Sequence, residues 1–412
     1  TVCSTVLIGL LLLFYRSLPA QSLASLEDMV TVNNPQLQAL DLRYQAMLKK
    51  SEQVSQLPDP VVAAGVPLFR PETRLGGQVF TLGVSQMLPW KGTLQTREEV
   101  GLLEARAQYE QIDAERIDLL HSVRTAYHRL QLISEKQRLL SEFSDNYHQL
   151  RTITVNRVET GQADLADVLQ LDIKLQKVAF EIDQLENKKA PFYARINEIL
   201  NRPSKTNIQI DSLPDRPAAL NLDLDTTIAN TLPQHPMLQQ LDWQIATSRK
   251  KQELNKLLRK PSFGVGLEYS WVSPRTDADP RFNGRDILIP RATATLPIDQ
   301  RKYQSADQEE ALKQMAAKED KVRIINQIER LLIEYQSRYQ NAMITLDFID
   351  SQTETIRQTY ELLLAGYSSN GHRFTDLIEI QNELLEFEVR KAEALIDTYI
   401  QVSAIQSLTR YP

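Results

Sequence analysis

The sequence predicts a mainly α protein with a small β part, built as two tandem repeats of long coiled-coil helices, each repeat carrying one β-hairpin. Three observations lead there. A glycine-centred break running from Arg157 through Gly161 to Asp167 has a counterpart from Tyr367 through Gly371 to Glu379, and Asp167-Val168-Leu169 precedes Asp376-Leu377-Ile378 by 209 positions. The heptad entering the first break, Leu119, Ala126, Ile133, Leu140, Tyr147 and Thr154, falls at the same offset on Ile328, Tyr335, Ala342, Ile349, Ile356 and Leu363. Upstream, Pro35, Leu37 and Asp41 recur as Pro236, Leu238 and Asp242 at an ungapped spacing of 201. A register kept over such distances marks an internal duplication.

Taken in order, Val6 to Tyr15 is an apolar run followed by Leu18-Pro19-Ala20-Gln21-Ser22, the pattern of a secretory signal segment over residues 1–22. Cleavage near Ala20 or Ser22 removes Cys3, the single cysteine, so neither disulfides nor thiol metal sites are expected in the mature chain. Repeat 1 is expected over 23–202, a linker with Pro203, Pro214 and Pro217 over 203–222, and repeat 2 over 223–412.

The first helix of repeat 1, about Leu26 to Leu57, has Leu37, Leu40, Tyr44, Met47 and Leu48 on one face. It stops at Pro58 and Pro60 and enters a hairpin over 61–88, with strands at 61–69 and 78–88 around a turn-rich segment. In repeat 2 the hairpin spans 262–296, with strands at 262–271 and 287–296. Val79, Thr81, Gly83 and Ser85 alternate with Phe80, Leu82 and Val84, as expected of a strand with two unlike faces. Seven of the thirteen glycines (65, 76, 77, 83, 264, 266 and 284) fall in the two hairpins, which confines strand-like sequence to these places.

Between Trp90 and Ala190, and again from Ile298 to Tyr411, there is no proline. Each stretch has room for a helix of about 60 residues, roughly 90 Å long, then the glycine break, then a returning helix of about 35 to 40 residues. The apolar period of seven implies coiled-coil packing.

A net charge of −6 and a pI near 5.6 argue against nucleic-acid binding, which needs a basic face. No HExxH, G-x-S-x-G, P-loop or dinucleotide-binding pattern is present, so no enzyme activity and no cofactor are expected. His121 and His128 share a helix face but lie about 10 Å apart along the axis, too far to chelate one ion. They are read as solvated or interfacial, the six methionines are scattered, and no metal site is expected.

After residue 22 no apolar run is long enough for a transmembrane helix, so a membrane crossing has to be made of strands. Four strands cannot close a barrel, and open edges in lipid cost several kcal/mol per unpaired backbone group. Several subunits must then share one barrel, and three would supply twelve strands, an allowed even number.

With these marks in place the chain resembles the outer-membrane efflux proteins of the TolC family. The resemblance rests on the tandem unit, on Leu57-Pro58-Asp59-Pro60 before the first hairpin and Gln86-Met87-Leu88-Pro89-Trp90 after it, and on the two breaks. It implies a homotrimer with a 12-stranded barrel in outer-membrane lipid and a helical tube in the periplasm. The function it implies is the exit duct of a tripartite efflux system, working with a periplasmic adaptor (membrane fusion) protein and an inner-membrane pump of the RND type. Both signatures are similar to those of the heavy-metal cation efflux branch. A periplasmic coiled-coil adaptor or scaffold protein is the alternative, one that accounts for the helices but not for two matched strand pairs.

The resemblance also assigns roles residue by residue. Arg157, Gly161 and Asp167 stand where the family has an arginine, the tip glycine and an aspartate; Gln162 replaces a common leucine. With Gly371, residues Arg157, Gly161 and Gln162 form the adaptor-contacting tips. Tyr367, Arg373 and the acids Asp376 and Glu379 are similar to the residues that close the periplasmic entrance, and Asp167 joins them as a gate residue. The spacing departs by one residue around Gly371, and the second acid is Glu where the family has Asp. Asp376 and Glu379, three apart on one helix face, become six carboxylates around a threefold axis. Their repulsion has to be offset by cations, for which Arg373 and Arg157 are the candidates.

Overall fold

The computed structural model describes residues 22–217, 220, 223–369 and 373–409; most of the expected signal segment and the tip residue Gly371 lie outside the described residues. The chain runs α1 (Leu23–Asn33), α2 (Pro35–Val54), β1 (Val61–Gly65), β2 (Glu72–Thr73), β3 (Gly76–Leu88), α3 (Thr93–Glu159) and α4 (Leu165–Ile199). It continues through α5 (Leu224–Thr231), a 3-10 turn (Leu232–Gln234), α6 (Pro236–Leu258), β4 (Ser262–Ser273), β5 (Ile287–Thr295), α7 (Arg301–Ser368) and α8 (Phe374–Thr409). The two longest helices have 67 and 68 residues, somewhat more than the sequence suggested, and the helices after the breaks have 35 and 36. By their contacts the residues form two units, one of residues up to 38, 113–235 and 325 onward, the other of 39–112 and 236–324.

The second unit holds the whole sheet. Its strands pair antiparallel in the order β1-β3-β4-β5, and the two-residue β2 pairs with the start of β3. Register assigns the faces, because directly opposed residues point the same way. Leu82 lies opposite Tyr269 and Tyr269 opposite Leu288; Val84 lies opposite Leu267 and Leu267 opposite Pro290. With Val62 and Ala64 of β1 these make one apolar face, and its Leu82, Val84, Leu267, Tyr269, Trp271 and Leu288 are exposed. The other face carries Thr81, Gly83, Ser85, Gly266, Glu268, Ser270, Arg291 and Thr293. Here Glu268 and Arg291 form an ion pair at 2.5 Å. Proline at 290 removes a ladder donor, which is tolerable in an edge strand such as β5.

Two expectations change here. The first strand ends at Gly65 instead of residue 69, since Pro67 interrupts the ladder, and the turn-rich segment contains β2. Helical packing in this unit includes a close approach at Gly101, where a Cβ would sit 2.6 Å from that of buried Ser51. Lys250–Glu99, Lys251–Glu104 and Lys321–Asp242 link helices at 2.7–3.1 Å.

The first unit is organised by the heptads. Leu119, Ala126, Ile133, Leu140, Tyr147 and Thr154 are all buried. A core of Leu140, Phe143, Tyr147 and Leu150 from α3 packs with Leu171 and Val178 from α4, Ile356 and Tyr367 from α7, and Phe374, Leu377, Ile378 and Leu384 from α8. Each large side chain of that core contributes about 1.5–3 kcal/mol by burial.

The single helix expected from about Leu26 to Leu57 is instead two, parted at Asn34. Pro35 disfavours helical geometry in the residue before it, and Asn34 takes φ −67° and ψ 120°. The buried Asn34 side chain then uses the break: Oδ1 accepts from the N–H groups of Gln36 at 2.9 Å and Leu37 at 3.0 Å, and Nδ2 donates to the Ile199 carbonyl at 2.8 Å.

The linker is strapped down in the same unit. Tyr127 donates its hydroxyl to Asp211 at 2.7 Å, Gln131 Nε2 donates to the Ser212 carbonyl at 2.9 Å, and Tyr399 donates to the Asp215 carbonyl at 2.8 Å. His128, expected to be solvated or interfacial, is buried here, with Nδ1 2.8 Å from Gln131 Oε1. Because Gln131 spends its amide N–H groups on the strap, its oxygen accepts from His128 Nδ1–H and fixes that tautomer. Burial pushes the His128 imidazole below its ordinary value of 6.5, with Arg124 adding to the effect and Gln131 and Glu27 opposing it. His121 is lowered likewise, first by burial and then by Arg124.

Candidate functional site

The two breaks meet in the first unit, and their geometry follows from how each helix stops. At the end of α3, the Gly161 N–H bonds to the Val158 carbonyl at 3.0 Å and the Gln162 N–H to the Arg157 carbonyl at 2.7 Å. This is a Schellman closure, whose left-handed position is taken by Gly161 at φ +73°. Asp164 then caps α4, its side chain accepting from the Ala166 N–H at 2.8 Å. A turn of five residues thus reverses the chain.

Arg157 joins this turn to the other break. Its guanidinium lies over the Tyr367 ring, Cζ 4.4 Å from the centroid, while Nη1 donates to the Tyr367 carbonyl and Nη2 to the Gln162 carbonyl at 3.2 Å. Tyr367 is buried and donates its hydroxyl to Thr154 Oγ1 at 3.3 Å; Thr154 in turn donates to the Leu150 carbonyl at 2.9 Å. The Phe374 ring, the first residue of α8, stands 6.0 Å from that of Tyr367. Stacking of a cation on an aromatic ring adds about 0.5–2 kcal/mol to such an arrangement.

The expected tip and gate residues divide into two groups. Arg157, Tyr367, Gly161 and Gln162 are brought together by direct contact. Arg373, Asp376 and Glu379 are exposed near the start of α8, and among the described residues none of the three forms an ion pair within the chain. Asp376 meets only the neighbouring Thr375 hydroxyl, at 3.5 Å. Asp167, half-buried in the first turn of α4, is held above the usual carboxylate range first by burial and also by Asp164, with a backbone hydrogen bond and Arg157 opposing. Thr154, read from the sequence only as a heptad position, and Phe374 complete this contact and were not among the expected site residues. A threonine at a heptad core position was the available signal, since a buried hydroxyl needs a partner.

Among the described residues no group of three or more His, Cys, Asp or Glu is placed to hold a metal ion, and no helix is long and apolar enough to cross a membrane.

A two-faced sheet with open edges, long heptad helices and a pair of interlocked helix breaks make up a mainly helical protein with one antiparallel sheet. Residues 26–202 match the outer membrane efflux protein family. The fold is that of several solved channels at low identity. The outer-membrane channel OprN aligns over 94% of this chain and 89% of its own, with TM-score 0.77 and 16% identity. CusC aligns over 95% and 92%, with TM-score 0.73 and 15% identity. VceC of Vibrio cholerae aligns over 94% and 96%, with TM-score 0.73 and 11% identity. No curated protein sequence matches the chain.

Proposed function

We propose that the protein is the outer-membrane exit duct of a tripartite efflux system, a passive conduit coupled to a periplasmic adaptor and an inner-membrane pump of the RND type. The observation that carries this reading is the sheet: one face exposes an apolar surface, the other is polar, and both edge strands have an unpaired outer side in the single chain. A water-soluble coiled-coil adaptor or scaffold has no use for such a face.

Three copies of the four longer strands supply twelve, with β5 of one copy against β1 of the next, and the polar face turned to the lumen. Leu165, Leu169 and Ile173, exposed at spacings of four along α4, fit the same assembly as surface for a neighbouring copy. The duplication into repeats of 23–202 and 223–412 belongs to this reading, and it is supported by the 201 and 209 spacings. So does the entrance: Arg157 and Tyr367 join the two breaks within one protomer, while Asp376 and Glu379, which form no ion pair among the described residues, form an acidic ring around the threefold axis. The adaptor then meets Arg157, Gly161, Gln162 and Gly371 at the tips. Heavy-metal cations are the cargo that the two hairpin signatures favour.

The test is an outer-membrane fraction run on a gel with and without boiling. A heat-resistant trimer band supports the reading, and a monomer in the soluble periplasmic fraction overturns it. In planar bilayers, Asp376→Ala with Glu379→Ala weakens cation selectivity and divalent block. Unchanged selectivity places the constriction elsewhere.

A further inference from the structure

The antiparallel register puts two loops, 66–75 and 274–286, at the end of the sheet opposite its four junctions with helices. They are tied together, since the Gly284 N–H donates to the Leu75 carbonyl at 2.8 Å and the Ser273 hydroxyl to the Gly77 carbonyl at 3.1 Å. The longer loop is braced from within by Asn283, which accepts from the Arg275 N–H at 2.8 Å and donates back to the Arg275 carbonyl at 3.1 Å.

Charge on these loops is unevenly used. Asp277 pairs with Arg275 at 2.6 Å, and Asp286 accepts from the Val272 N–H at 2.9 Å and from the Tyr269 hydroxyl. Arg70, Arg74, Arg281 and Arg285 remain exposed, and among the described residues none forms an ion pair. Glu72 and Asp279 are the remaining acids of the two loops, and Asp279 accepts weakly from Asn283 at 3.4 Å.

Between these arginines is an apolar hollow. It has a volume of about 450 Å³ and is lined by Leu75, Phe282 and Ile287 together with Thr73, Arg74 and Arg281. Phe282 is 55% exposed at φ +71°, a backbone conformation that bulky residues rarely adopt, and its ring carries Arg281 at 4.9 Å and Arg285 at 5.2 Å. Leu68 and Phe69 on the neighbouring loop are 94% and 92% exposed. Apolar side chains held out beside guanidiniums suit a ligand that is itself half apolar and half anionic. Guanidinium forks match phosphate oxygens, and aromatic and arginine side chains favour the boundary between headgroup and acyl chain.

Given the membrane placement proposed above, on which this rests, the geometry points to a docking site for a phosphorylated acyl lipid of the outer leaflet. The arginines take its phosphates, and Phe282, Leu68 and Phe69 meet its acyl boundary.

The experiment uses the full-length oligomer in detergent. Binding of a bis-phosphorylated acylated diglucosamine is measured by native mass spectrometry, beside the same lipid stripped of phosphate and beside inorganic phosphate as competitor. The phosphorylated lipid is expected to bind about tenfold more tightly than the stripped one, and Arg74→Gln, Arg281→Gln and Arg285→Gln combined to remove that preference. Millimolar inorganic phosphate is expected to leave it intact. Equal binding of both lipids, an unaltered preference in the triple variant, or displacement by inorganic phosphate overturns the proposal. Recovery of the triple variant as a heat-resistant oligomer from the outer membrane separates loss of this site from misfolding. A protein absent from that membrane in its unsubstituted form fails the channel reading first.

Discussion

Arg157 holds two helix ends with one side chain. Its backbone carbonyl closes the Schellman turn while its guanidinium stacks on Tyr367 and donates to that residue's carbonyl. Tyr367→Ala removes a buried ring from the hydrophobic core of α3, α4, α7 and α8 and is expected to cost about 3–5 kcal/mol locally, whereas Tyr367→Phe loses only the bond to Thr154, about 1 kcal/mol. Amide exchange over 150–160 and single-channel conductance read the difference: both should rise strongly in the alanine variant and little in phenylalanine. Equal behaviour of the two would remove the ring from the lock. The second residue-scale prediction concerns pH. His128 is packed with Tyr127, Tyr399 and Gln131, near the Arg124–Glu27 ion pair at 2.6 Å and the Asp211 carboxylate. Its folded-state value lies below 6.5, so the unfolded chain binds the proton first. Stability is therefore fully present above about pH 6.5 and is lost as pH falls from there through the folded value. His128→Gln should flatten the melting temperature between pH 7.5 and 5 relative to the unsubstituted protein; an unchanged slope would assign the loss to other groups, His121 first. At this scale the helix that carries a residue was legible, as with Asp376 and Glu379 on α8. Partners were not, because the contact of Arg157 with Tyr367 joins positions far apart in sequence.

The elements were legible where one physical rule governs a long stretch. Freedom from proline and a seven-residue apolar period foretold both long helices, and alternation through Phe80, Leu82 and Val84 foretold a strand. Short features that depend on partners were not. The break at Asn34 is fixed by a side chain reaching Ile199, and β2 exists only because β3 is there to receive it. The register adds what alternation alone could not, namely which side chains of neighbouring strands share a face. Leu82, 41% exposed, sits on the apolar face between Ala64 and Tyr269, and Thr81 sits on the polar face between Gly65 and Ser270. In the proposed barrel, Leu82→Arg is therefore expected to cost about 2–4 kcal/mol at mid-depth in lipid, and Thr81→Arg to be tolerated in the lumen. The amount of heat-resistant oligomer in the outer membrane measures both. A result with Thr81→Arg the more damaging would invert the two faces.

At the scale of the whole molecule, the two spacings carry the proposed duplication, while the proposed assembly depends on edges that a sequence does not display. Strands β1 and β5 end the sheet with unpaired backbone groups on their outer sides, an arrangement that is costly in lipid unless another chain pairs with them. A closed assembly of identical copies must use one heterologous contact repeated around an axis, so β1 of each copy has to meet β5 of the next. Cysteine chemistry can report this contact because the sequence has one native cysteine, Cys3, at the extreme N-terminus. Val62 in β1 and Leu288, Ala292 and Ala294 in β5 all belong to the apolar face, so paired cysteines at these positions point the same way across the joint. A disulfide needs Cβ atoms about 3.5–4.5 Å apart, which only one register of the joint can provide. With Cys3→Ser as background, Val62→Cys combined in turn with Leu288→Cys, Ala292→Cys and Ala294→Cys should give one pair that oxidises to covalent oligomers ending at the trimer on a non-reducing gel. Val62→Cys alone should give at most dimers. No cross-link from any pair, in protein that still assembles, would mean that the edges are closed by something other than a second copy of the sheet.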